Sequence, residues 1–158
     1  MPDKAQRLRA VYDHLIDLIE KKFGSDAKLI KHPEGLSFGM LYKSAASMTS
    51  VLPWRSDDAV VATRSYVVTG ATIDADLMRL LLGVNANSPN GAFAIDDEGD
   101  IVFCHTILGN SVNLDELMSS ITGVITTADE YDDIITAKWG GMRALDSIRA
   151  SAYMSGAK

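Results

Sequence analysis

Cysteine is almost missing from this chain. Cys104 is the single one in 158 residues, so no disulfide forms within the chain, and such usage fits a reducing compartment. Long apolar runs are missing too: no segment approaches the roughly 20 residues that cross a bilayer. The opening Met1-Pro2-Asp3-Lys4 leads into an amphipathic segment without the apolar stretch of a signal peptide, and the expectation is a soluble, cytoplasmic protein with no membrane partner. Positive charge is in deficit. The 15 Lys and Arg face 21 Asp and Glu, a net charge of −6, which argues against sequence-independent binding to nucleic acid or to an anionic surface. Internal repeats, linkers and low-complexity segments are absent as well. What is there, 47% hydrophobic and 23% charged residues, is the composition of an ordinary folded protein, and the length suits a single domain over 1–158 with one core.

The stretch from Gly91 to Gly109 organises the rest. It reads as a β-hairpin with Asp96-Asp97-Glu98-Gly99 at its tip. Ile101, Phe103, His105 and Ile107 fall on one face of the second strand; Val102, Cys104, Thr106 and Leu108 fall on the other. Apolar residues on both faces predict a central strand, covered at least in part on both sides. Helical patterns flank the hairpin. From Asp3 to Phe23, Leu8, Val11, Tyr12, Leu15, Ile16, Ile19 and Phe23 recur on one helical face, with Gly24 as a left-handed cap. Asp74 is the N-cap of a second helix whose apolar face is Leu77, Leu80, Leu81 and Val84. Asn113 and Glu116 resemble a capping box opening a third helix that runs to Trp139. Its segment Ser120 to Thr127 is β-branched and contains Gly123, which costs about 1 kcal/mol in a helix interior. Helix is still expected, because the helical period holds along the segment and strict alternation fails. Gly140-Gly141 breaks it. Met142 to Tyr153 is expected as a last helical segment, with Met142, Leu145, Ile148 and Ala152 on one side.

Lys28 to His32, Leu36 to Tyr42 and Ala59 to Thr69 read as strands. Ala45 to Trp54 reads weakly as another, since its small and hydroxyl residues suit an edge or an irregular loop equally. Gly39, in mid-strand, suggests a bulge or a close backbone approach. Pro53 to Asp58 reads as a turn. Short connections between strands imply an α+β fold, an antiparallel β-sheet with helices packed against it.

Few residues suggest chemistry. Asp129, Asp132 and Asp133 lie within one helical turn, where their carboxylates could share a hard cation; the plainer expectation is a solvated face pairing with Lys138 or Arg143. Asp96 to Asp100 superficially resembles a calcium loop but lacks the ligand spacing and the distal Glu. Cys104 and His105 are adjacent on a strand, point to opposite faces, and cannot serve each other as nucleophile and base. His14 and His32 have no ligand spacing. Gly109-Asn110-Ser111 and Val68-Thr69-Gly70-Ala71 each precede a helix start, where backbone amides can hold an anion, without matching a phosphate-binding fingerprint. Trp54 and Trp139 stand at element ends. There a tryptophan is either half-buried core or an anchor for a protein partner, which makes both candidate partner-binding residues.

Several phrases together resemble a known family. They are Leu52-Pro53-Trp54 with Ser56-Asp57-Asp58; Tyr66-Val67-Val68-Thr69-Gly70-Ala71; Gly91-Ala92-Phe93 with Gly99-Asp100-Ile101-Val102-Phe103 and His105-Thr106-Ile107-Leu108-Gly109; and Ala128-Asp129-Glu130-Tyr131-Asp132-Asp133 with Trp139-Gly140-Gly141. Over roughly Val51 to Arg149 the chain resembles the YbjN-like proteins of cyanobacteria, a group without an assigned function within the type III secretion chaperone-like fold. The resemblance implies the element order α-β-β-β-α-β-β-α, from which the segment Ala45 to Trp54 and a helix after Gly141 depart. It implies a non-enzymatic module that binds other polypeptides and is often dimeric, with no catalytic residues to carry over; a homodimer without a cofactor is expected. Two alternatives stand beside it: a small metal-dependent enzyme using Asp129, Asp132 and Asp133, and a ligand-sensing domain with a pocket between sheet and helices.

Overall fold

The computed structural model describes residues 3–24, 29–32, 35–43, 45–55 and 58–147. Helix α1 (Lys4–Phe23) is followed by strands β1 (Ile30–Lys31), β2 (Ser37–Tyr42), β3 (Ala45–Trp54) and β4 (Asp58–Thr69). Helix α2 (Ala75–Asn85), the hairpin β5 (Ala92–Ile95) and β6 (Ile101–Leu108), helix α3 (Leu114–Trp139) and the short β7 (Met142–Arg143) complete the order. The strands form one antiparallel sheet in the order β1-β2-β3-β4-β6-β5, and β7 pairs with the end of β4. This is the expected α+β architecture.

Each helix starts where its sequence supplies a cap. Asp3 and Gln6 form a capping box on α1, Asp74 accepts the Leu77 N–H at 2.8 Å on α2, and Asn113 and Glu116 close a second box on α3. The β-branched stretch of α3 stays helical because burial decides. Leu117, Ile121, Val124, Ile125 and Ile135 are all buried, and burying each such side chain contributes about 1.5–3 kcal/mol. Their sum exceeds the cost of Gly123 several-fold.

All three helices pack on one face of the sheet. Tyr12 of α1 meets Phe38 of β2, with ring centroids 6.3 Å apart. Phe93 of β5 meets Phe103 of β6 at 4.8 Å and Tyr131 of α3 at 5.3 Å. Asn85, at the end of α2, clamps β5 at two points: it accepts the Phe93 N–H at 2.6 Å and donates to the Phe93 carbonyl at 3.1 Å.

Three expectations are corrected. Ala45–Trp54 is neither an edge nor a loop. It is an interior strand, paired with β2 over Ala45 to Ser50 and with β4 over Ser47 to Trp54, and the two-residue β1 and β7 take the chain beyond the α-β-β-β-α-β-β-α order. The turn expected over Pro53 to Asp58 is tighter, because Pro53 and Trp54 belong to β3 and Asp58 to β4. Met142 and Arg143 are strand, not helix: they pair with Thr69 and Val68, and helical structure begins at Ala144. Gly140 and Gly141 both take positive φ, at 72° and 84°, which turns the chain back against β4. A Cβ on Gly141 would stand 2.5 Å from the Thr69 carbonyl oxygen. The expected continuation from Ile148 to Tyr153 lies outside the described residues.

Pairing is regular through Gly39. The sheet shows only a close approach there, since a Cβ on Gly39 would stand 3.4 Å from the Ser47 carbonyl oxygen. The bulge is elsewhere, at Val67 between Tyr66 and Val68. It lets Val67 and Val68 both be buried and hands the end of β4 over from β3 to β7.

Candidate interaction surface

One face of the sheet lies under α1, α2 and α3; the other carries, among the described residues, only the helical turn that begins at Ala144, and alternation along the strands decides which residues each receives. In β3 the inward positions are Ala45, Ser47, Thr49 and Val51, all buried, while Met48, Leu52 and Trp54 point the other way and are exposed. Small polar groups lie inside and large apolar ones outside. Most inner polar groups find partners: Thr49 and Thr63 hydroxyls meet at 3.0 Å, Ser65 donates to the Ala46 carbonyl at 2.8 Å, and His105 Nδ1 bonds Ser120 Oγ at 2.9 Å; the Ser47 hydroxyl is buried without one among the described residues.

The outer face is continuous across the sheet. Register places Met48 beside Arg64 and Leu52 beside Val60, and Val60 in turn beside Leu108. Ile30 and Leu41 extend the apolar surface onto β1 and β2, where they too are exposed. Two grooves run over it. One of about 450 Å³ is lined by Ile30, Gly39, Leu41, Met48 and Leu145; the other, of about 380 Å³, by Met48, Leu52, Arg64, Tyr66 and Ala144. Met48 forms the ridge between them. Ala144 and Leu145, just after β7, are buried against this face, where they line the two grooves. At the margin of the face, burial followed by the Asp96 charge pushes the Tyr66 pKa up.

The candidates singled out from sequence separate in space. Trp54 stands at the rim of the open face, 46% exposed, with the Arg55 guanidinium 5.9 Å from its ring centroid. Trp139 is a core residue at 8% exposure; its indole N–H donates to Asp74 at 3.0 Å. Asp129, Asp132 and Asp133 diverge. Asp129 pairs with Lys43 at 3.2 Å, Asp133 with Arg143 at 3.5 Å, and Asp132 is buried at 2% exposure. Among the described residues, no three His, Cys, Asp or Glu are grouped so that they could hold a metal ion.

In the hairpin tip, Asp96 accepts the backbone N–H groups of Glu98 and Asp100 at 3.0 and 2.9 Å. These backbone bonds, that of Asp100 first, hold its carboxyl below the ordinary carboxylate range. Cys104 and His105 do face opposite ways: the Cys104 thiol reaches the Ala92 carbonyl at 3.6 Å while His105 faces α3. The start of α3 is closed by its own capping box. A further cavity of about 570 Å³ lies between α2 and α3, lined by Arg79, Val84, Asn87, Glu130 and Tyr131. Met48, Leu52, Arg64 and Leu108 escaped sequence reasoning. The signal for Met48 and Leu52 was present in β3, where the larger apolar residues alternate with Ser and Thr.

Among the described residues, no helix is long and apolar enough to cross a membrane. No curated protein matches the chain. Solved structures share its fold. A chain of the HopA1–SchA chaperone–effector complex aligns with a TM-score of 0.64 at 13% identity, over 84% of this chain and 99% of that one. A chain of the ExsC–ExsE complex gives 0.58 at 14%, over 85% and 97%. A chain of the heterodimeric ExoU–SpcU complex from the type III secretion system of Pseudomonas aeruginosa gives 0.50 at 12%, over 77% and 98%. Residues 13–147 match the model of TY-Chap1, described as T3SS (YopN, CesT) and YbjN peptide-binding chaperone 1, and the chain belongs to that family.

Proposed function

We propose that this protein is a non-enzymatic, cytoplasmic chaperone that takes an extended segment of a client polypeptide onto the open face of its sheet. The observation that carries the reading is the reversed alternation of β3, which spends small polar residues on the core and sets Met48, Leu52 and Trp54 outward. A contiguous exposed apolar face with grooves of side-chain size marks an interaction surface, and the family's description as peptide-binding supports a peptide as its occupant. Trp54 serves as the anchor at the rim.

The test is to pan a phage-displayed library of short random peptides against the chain and against a Met48→Asp, Leu52→Asp variant. Recovered peptides are expected to be apolar at alternate positions and to lose binding to the variant. Peptides that bind both proteins equally, or a face occupied by a second copy of the chain in solution, would overturn the reading.

A homodimer is proposed through a separate patch. Met78 and Leu82 of α2 are exposed beside Ile95 of β5, with Leu82 at 67%, and the outer edge of β5 pairs with no strand among the described residues. A two-fold axis lets this apolar patch pack against its own copy, while Asn85, which takes up the Phe93 N–H and carbonyl, closes the strand edge to pairing at that point. Light scattering is expected to give twice the chain mass for the wild type and the chain mass for Leu82→Glu. A wild-type monomer at high concentration would remove the dimer and leave the peptide reading intact.

A further inference from the structure

We infer that Arg64 sets the charge requirement of the client: the open face accepts an extended apolar segment that brings an aspartate or glutamate side chain over Arg64. The inference rests on the peptide-docking reading and names the chemistry of the occupant.

Arg64 lies on β4 in the middle of the sheet, with Met48 of β3 as its neighbour on one side and Cys104 of β6 on the other. The other formally charged residue among the outward strand positions is Asp58, at the far end of β4 opposite Trp54. In a chain of net charge −6, Arg64 is thus the one cation among the described outward strand positions; Lys31, which lines the neighbouring groove, is paired with Glu20. Arg64 is exposed and lines the groove with Met48, Leu52 and Tyr66. No carboxylate of the described residues stands within ion-pair distance of it. Asp96 is committed to its own turn through the Glu98 and Asp100 N–H groups, and Arg64 acts on it only through space.

Covering this face dehydrates the guanidinium. An occupant without an anion leaves a buried, unpaired charge, which is strongly unfavourable. An occupant with a carboxylate replaces the lost water by charge-assisted hydrogen bonds, and the planar guanidinium can make two of them side by side. In an extended segment the side chains that face the sheet recur at every second residue. The carboxylate must therefore share parity with the apolar side chains that enter the grooves on either side of Met48. The same residue rejects a segment with Lys or Arg at that position, so it supplies discrimination that an apolar surface alone lacks.

Three synthetic peptides test this, all of the form Leu-Ser-Leu-Ser-Xaa-Ser-Leu-Ser-Leu with Asp, Asn or Lys at the centre. Binding is read by fluorescence anisotropy on the wild type, Arg64→Gln and Arg64→Glu. The wild type is expected to prefer the Asp peptide over the Lys peptide by roughly tenfold or more, with Asn between. Arg64→Gln is expected to level the three, and Arg64→Glu to invert the order, a gain that a misfolded variant cannot produce. The same ranking on all three proteins overturns the role of Arg64, and so does binding without any charge preference or no binding of any of the three. Panning against Leu52→Asp alone decides the docking face independently, because Leu52 stands beside Val60, whereas Met48→Asp would set a carboxylate beside Arg64.

Discussion

The indole of Trp139 donates a hydrogen bond to the carboxylate of Asp74 at 3.0 Å. It ties the last turn of α3 to the first turn of α2, elements 65 residues apart in sequence. The Trp139 ring also carries the Lys138 ammonium 4.4 Å from its centroid, so the C-terminus of α3 is held by a ring, an acid and a cation together.

Trp139→Phe keeps most of the buried ring and removes the N–H donor. Urea denaturation is expected to show a loss of about 1 kcal/mol, and Trp139→Ala a loss of about 3–5 kcal/mol. Peptide affinity per folded molecule stays unchanged in both. A loss of affinity in folded Trp139→Phe would give this residue a direct part in binding.

Acid sensitivity follows from the turn and cap carboxylates. Asp74 is held below the ordinary carboxylate value first by the Leu77 N–H and then by Trp139, and Asp96 first by the Asp100 N–H. A folded-state pKa below the unfolded one gives stability that is fully present above the unfolded value, near ~4. That stability is lost as pH falls through the lower folded value. Denaturation midpoints measured from neutral pH downward should be flat to about pH 5 and then drop. Asp74→Asn and Asp96→Asn should each make the drop shallower.

Core and open face should respond in opposite ways to substitution. Phe103 is fully buried, and Phe103→Ala is expected to cost about 3–5 kcal/mol. Met48 is exposed, and Met48→Asp should change stability by no more than about 0.5 kcal/mol while abolishing binding of the panned peptides. Guanidinium denaturation and anisotropy on the same samples separate the two effects.

Two glycines give a matched pair. Gly83, inside α2, has open space where a Cβ would go, and Gly83→Ala is expected to raise stability by about 0.5–1 kcal/mol through helix propensity. Gly141 has positive φ and backbone atoms of Thr69 and Ala71 within 3 Å of a Cβ. Gly141→Ala should lower stability by more than about 1 kcal/mol. Thermal unfolding of the two variants should move the midpoint in opposite directions.

The helices were legible because caps and apolar faces agreed: Asp74, Asn113 and Glu116 cap as their sequence patterns predict. The β5–β6 hairpin was legible from its tip and its alternation, although cover on its second face is limited: Val102 is buried while Leu108 is open. β3 was poorly legible for a physical reason. Ser47 and Thr49 face the core, beneath α3, while Met48 and Leu52 face outward, the reverse of the pattern by which a half-buried strand is recognised. The same reversal makes the surface, so the element hardest to read was the one that carries the candidate site. The two-residue β7 offers no period at all, and only the long-range pairing with Val68 and Thr69 defines it.

The bulge at Val67 has a consequence for synthesis. Beyond it, β4 takes its neighbour from Met142 and Arg143, which leave the ribosome more than 70 residues after Val68 and Thr69. Until they emerge, the edge at Val68 and Thr69 lacks these partners, and a nascent chain long enough to have made every other strand pair still presents an unfinished edge there. Among the described residues, the last strand translated is thus the one that completes β4.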